Sequence, residues 1–136
     1  MGARGIHIAS ERGQAAVEFA LIAPVLIILV LGVIQIGIAF NHYLTITDAA
    51  RAGARTAIVA RFTGINSGDV QTAVQNAASS LDQSQLKVTA DDPTDPTWTK
   101  AGTDIVVTVT YPYSINLLGL VVASGNLTST MTEPLE

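Results

Sequence analysis

The chain has no cysteine, so disulfides and thiol chemistry are excluded, although this settles no compartment, because many periplasmic domains also lack disulfides. Histidine is nearly absent, limited to His7 and His42. No Ser-His-acid set, glycine-rich phosphate loop or His/Asp metal cluster can be assembled from what remains. Gly64-Ile-Asn-Ser-Gly68 has the outward look of a nucleophile elbow, but its serine is displaced and no strand precedes it. The expectation is therefore no enzyme, no cofactor and no metal. Charge is scarce as well: 7 Lys and Arg against 11 Asp and Glu leave a net charge of −4. Basic stripes with interleaved aromatics are missing, which argues against a nucleic-acid surface. At 136 residues there is room for one modest domain.

Apolar length is what the chain does have. Phe19 to Phe40 reads FALIAPVLIILVLGVIQIGIAF, without a charge and with Gln35 as its one strong polar group. As a helix this run would reach ~33 Å, matching the ~30 Å hydrocarbon core of a bilayer. A buried core helix of this length would carry more polar residues. A cleaved secretory signal would have a shorter apolar region and a small-x-small site, whereas Ala50-Arg51-Ala52 places an arginine inside the only candidate. A retained, single-pass anchor fits best. Arginines flank both ends (Arg4 and Arg12 before, Arg51, Arg55 and Arg61 after), so the charge count alone does not orient it.

The residues before the run are Arg12-Gly13-Gln14-Ala15-Ala16-Val17-Glu18-Phe19. Glu18 stands where an anionic side chain begins to cost free energy, up to ~3 kcal/mol at mid-bilayer, and so calls for a partner. With this arrangement the chain resembles the type IV pilin superfamily, and within it the TadE-like minor pilins of the Tad (Flp-type) pilus. The Ala/Arg-rich stretch Asp48–Arg55, the strand-like TDIVVTVTYPY of Thr103 to Tyr113 and the terminal Leu127–Glu133 extend the likeness over most of the chain.

The resemblance implies cleavage by a prepilin peptidase after Gly13, leaving Gln14 as the first mature residue, Glu18 as the fifth and Phe19 as the family's aromatic. Residues 1–13 would then be a cytoplasmic leader, 14–62 an N-terminal helix with its transmembrane segment at 19–40, and 63–136 a periplasmic head. It further implies that Glu18 pairs with the free α-amine of a neighbouring subunit, since opposite charges beside an apolar bundle cost less together than apart. An N-terminal Gln14 can cyclise and lose that amine charge, which would weaken the pairing. The implied partners are the peptidase, other Tad pilins and minor pilins, and inner-membrane lipid. The implied role is initiating or capping the fibre. A single-span, membrane-anchored periplasmic binding or sensing module is the alternative.

The remaining residues predict an α+β fold. The first helix should continue past the span to about Arg61, ~72 Å in all, with a bend at Pro24. Ala49, Gly53 and Ala57 recur every fourth residue, which permits close approach of another element. Asp48 and Arg51 can meet at i,i+3, with Arg55 on the same solvated face. After a break at Gly64–Gly68, a second helix, capped by Asn66 or Ser67 and with Asp69 in its first turn, presents Val70, Ala73, Val74, Ala77, Ala78 and Leu81 on one side. Three strands follow, at Leu86–Ala90, Thr103–Tyr111 and Asn126–Thr132, with Ile105, Val107, Val109 and Tyr111 on one face of the middle one and Thr108 and Thr110 on the other, which implies an antiparallel sheet packed on the long helix. Asp91, Asp92 and Asp95 fall in one Pro-containing turn. Their spacing matches no calcium loop, and a plain turn is the better reading. The apolar connection Ile115–Val122 is expected to tuck under the sheet rather than form an exposed patch.

Overall fold

The computed structural model describes residues 7–63, 67–91 and 104–134. Helix α1 (His7–Thr63) passes through Pro24 without interruption, and α2 (Ser67–Ala77) is followed by β1 (Lys87–Asp91), β2 (Asp104–Leu117) and β3 (Leu120–Pro134). The strands form one antiparallel sheet in the order β1-β2-β3. The α+β architecture is therefore as the sequence predicts. Met1–Ile6, Gly64–Asn66 and the acidic turn from Asp92 onward lie outside the described residues, and Asp91 ends β1.

Two halves of α1 have different surroundings. From Val17 to Leu44 its large apolar side chains are exposed, except Leu31, which is half-buried, and the first fully buried one is Ile46. From there Ala49, Ala50, Ala54 and Ala57 form a small-residue stripe against which α2 and the sheet pack. Gly53 marks the tightest approach: a β-carbon there would stand 2.6 Å from Val74 Cγ2 of α2 and 3.1 Å from Val107 Cγ1 of β2. The four-residue spacing thus serves a helix and a sheet together. Arg51 bonds Asp48 at 3.1 Å on the open side, where Arg55 is also exposed.

Strand β2 alternates as expected. Ile105, Val107, Val109 and Tyr111 are buried against α1, while Thr108 and Thr110 face outward and meet Thr130 and Thr128 of β3 at 3.3 and 3.5 Å. Helix α2 buries Val70 and Val74, and the turn after it buries Ala78 and Leu81. Ala77 is exposed, because the helix ends there and a short turn re-aims the chain.

One expectation is corrected. Ile115–Val122 does not tuck under the sheet. Strands β2 and β3 both run on through it, with Leu117 paired to Leu120, and leave Leu118-Gly119 as a two-residue turn. Positive φ at both residues (52° and 87°) supplies the twist that such a hairpin needs. Pro112 lies past Thr110, the last β2 residue paired with β1, where the strand has one neighbour and a missing N–H is tolerated. Opposite Tyr113 stands Gly125, whose absent side chain leaves room for the ring: a β-carbon would lie 3.0 Å from it.

Candidate assembly site on the N-terminal helix

Gly13, Gln14, Glu18 and Phe19 lie in sequence on the free-standing half of α1, far from the sheet. All four are exposed, Phe19 by 69%. A β-carbon on Gly13 would meet nothing within 4 Å. The i,i+4 spacing brings the Gln14 and Glu18 side chains together, and Gln14 Nε2 donates to Glu18 Oε1 at 3.3 Å. The carboxylate is thereby partnered within its own chain by a neutral amide. Beyond it the apolar run exposes large side chains on several sides of the helix, Val25, Ile27, Leu29, Val30, Ile34 and Ile36 among them, while Leu31, Gln35 and Ala39 are half-buried.

A helix apolar all round belongs in a protein core or in lipid. Here no core surrounds it, and α1 is the one helix among the described residues long and apolar enough to cross a membrane. It fits a single-pass anchor.

Residues 13–55 match the family model of the TadE-like proteins. The TadE-like segment begins at Gly13, takes in the whole apolar run and ends at Arg55, within the small-residue stripe. It supports a pilin-like role related to the Tad pilus. The strands lie outside the TadE-like segment. No curated protein and no solved structure gives a match.

A second concave place lies where the two halves of α1 meet. Gln35, Ile38, Ala39 and His42 face Gln85 and Tyr111–Ser114 across a cleft of about 190 Å³. The His42 ring meets Tyr111 edge-on, 5.3 Å between centroids. The cleft is smaller than the ~300–1,000 Å³ usual for ligand pockets. Among the described residues no group of three or more His, Asp or Glu could hold a metal.

What sequence reasoning missed is the hairpin tip at Leu117–Val122. Its apolar character was visible; its exposure was not, because the turn carries Leu-Gly where Asn-Gly is the usual signal.

Proposed function

We propose that this chain is a minor pilin-like subunit of a Tad-type pilus assembly system, held in the inner membrane by α1 with its head on the periplasmic side. A prepilin peptidase cleaves it after Gly13, and the subunit then takes part in initiating or capping the fibre through contacts between its N-terminal helix and those of other pilins. The observation that carries this reading is a largely exposed apolar helix bearing a lone carboxylate, Glu18, five residues after Gly13, in a segment that matches the TadE-like model from Gly13 onward.

The chemistry is a matter of access and charge. A peptidase must bring the backbone at Gly13 close to its catalytic groups, and glycine has no side chain in the way. Because Gly13 lies within helix α1, the bond must also be unwound, and glycine's poor helix propensity, about 1 kcal/mol below alanine, makes that easier. Cleavage turns the Gln14 backbone nitrogen into an α-amine. An ammonium of a neighbouring subunit then displaces the neutral Gln14 amide as the partner of Glu18, which sets the register between helices.

Mass spectrometry of the protein from cells with and without the peptidase is the decisive experiment. A form starting at Gln14 is expected only when the peptidase is present; Met1 or Gly2 as the sole N-terminus in both strains would end the pilin reading. Glu18→Ala then separates anchor from assembly. The variant should still insert and be cleaved, because the glycine and not the glutamate lies at the scissile bond. Losing one member of a desolvated pair costs ~3–5 kcal/mol, and less at this partly solvated site. Even ~1.4 kcal/mol weakens association tenfold, so co-purification with other pilins should fail. Wild-type piliation by Glu18→Ala would refute charge pairing, with cyclised Gln14 the first thing to look for.

A further inference from the structure

The β2–β3 hairpin runs back along α1 over the apolar run. Val107 packs beside Gly53, Tyr111 meets His42, and Pro112–Ser114 face Ala39, Ile38 and Gln35 across the cleft. Seven residues lead from Tyr111 to Leu118 at the tip. At ~3.3 Å per strand residue and ~1.5 Å per helix residue, they match about fifteen residues of α1. The tip therefore stands level with about Ile27, near the middle of the run from Phe19 to Phe40.

Hairpin and helix match in pattern there. Past the core β2 keeps its alternation, with Tyr113, Ile115 and Leu117 half-buried and Ser114 and Asn116 exposed. On α1 the half-buried Leu31, Gln35, Ala39 and His42 prolong the stripe that carries Ile46, Ala49 and Gly53. Gln35, the one strong polar group of the run, thus lies on the hairpin side, in a cleft shared with His42, Gln85 and Ser114.

A bilayer around the same run is incompatible with this contact. Beyond Thr110 the outer edge of β2 has no strand partner, and β3 has none along its outer side. Closed against α1 at the level of residues 27–40, those edges would lie in hydrocarbon, where unpaired backbone groups are not tolerated. We infer that the part of the hairpin beyond Tyr111 is a latch. It stands off α1 while the run is in the bilayer and closes on it once the run has left. This rests on the reading of α1 as a membrane anchor, and it makes the closed form the one that enters an assembly.

The head supplies the pivot. Val107, Val109 and Tyr111 are buried, and the close fit at Gly53 holds the sheet at one level of α1. Past Tyr111 no β2 side chain is buried, pairing with β1 has ended, and Pro112 offers no N–H. Gly125, paired with Tyr113, is a glycine inside a strand, a usual place for a bend. The pivot is at the level of His42, just outside the run, so the lifted hairpin stays on the aqueous side. Opening gives up half-buried contacts and leaves the core untouched.

The cysteine-free sequence makes the test direct. Ala39→Cys/Tyr113→Cys in the full chain is joined in detergent by a short, reducible bis-methanethiosulfonate linker and reconstituted in phosphatidylcholine/phosphatidylglycerol vesicles. A micelle, unlike a bilayer, can shape itself around the hairpin, so the link should form there. The linked chain should resist carbonate extraction severalfold less than the unlinked one, and reduction before reconstitution should restore resistance. Thr108→Cys/Thr130→Cys, at hydroxyls 3.3 Å apart on the outward face of the sheet, should insert equally well linked and unlinked. Equal carbonate resistance of the 39/113 variant in both states would overturn the latch and leave the anchor intact, and so would failure of its link to form in detergent. A loss of the same size on linking 108 to 130 would trace the effect to the linker and likewise overturn the latch. Carbonate extraction of the unlinked chain would remove the anchor and the latch with it.

Discussion

Gly53 shows how much a single position can decide. Alanine is the better helix former by about 1 kcal/mol, so an exposed glycine would gain from the exchange. At Gly53 the added methyl would sit 2.6 Å from Val74 Cγ2 and 3.1 Å from Val107 Cγ1. Both valines are fully buried and stiff at χ1, so they cannot swing away. Overpacking of this kind costs ~1–3 kcal/mol and should outweigh the propensity gain. Gly53→Ala is expected to destabilise the head by about 1 kcal/mol or more in urea unfolding. Gly32→Ala, with nothing within 4 Å, should leave stability unchanged or raise it. Equal midpoints for the two variants would refute the close-contact account. Gly53 was legible in the sequence through its place between Ala49 and Ala57. Glu18 was legible for a different reason, as an ionisable group at the lip of an apolar run. Gly125 was not, because what makes it glycine is the ring of Tyr113 across the hairpin, a pairing that requires the register to be known.

At the level of elements, the link from α2 to β1 is a built turn rather than slack chain. Asp82 accepts from the Ser84 hydroxyl at 2.7 Å, the Ser84 backbone N–H at 3.0 Å and the Gln85 amide at 3.1 Å, and its own N–H donates to the Tyr111 hydroxyl at 3.4 Å. The hydroxyl and backbone bonds from Ser84, with that from Gln85, hold the Asp82 carboxyl below its ordinary value of 3.8. A depressed pKa in the folded state means that the unfolded chain binds the proton more readily. The turn's contribution is thus complete above pH 3.8 and is lost as pH falls through the lower, folded value. Asp82→Asn should flatten the acid limb of the stability curve in that window and leave its shape near neutrality unchanged. An acid limb as steep as wild type would show that other carboxylates govern it.

The helices and the three strands were readable because their periods are clean: small residues at every fourth position in α1, alternation in β2. The hairpin was readable only in part. Pro112, a shift of register between Ile115 and Asn116, and a leucine in the turn each mimic the end of a strand. What keeps the strands together there is their mutual pairing, which no single stretch of sequence displays.

For the molecule as a whole, the division of α1 into a bare half and a packed half has a direct consequence for stability. Every residue of the buried core lies at Ile46 or later. A fragment beginning at Asn41 keeps that core and the His42–Tyr111 contact, while it sheds the large apolar side chains from Val17 to Phe40. It should fold cooperatively in water and give a single thermal transition by circular dichroism, whereas the full chain should need detergent or lipid. A fragment without a cooperative transition would mean that the head depends on the anchor for its fold. The fit at Gly53 bears on how the two halves act together. If the head slipped along α1 by four residues, Ala49 or Ala57 would enter the slot between Val74 and Val107, and each carries the carbon that the slot excludes. The glycine works as a detent: the head is clamped at one position on a continuous rod, so a pull or a twist applied to the far end of the helix reaches the sheet without slip or lost motion.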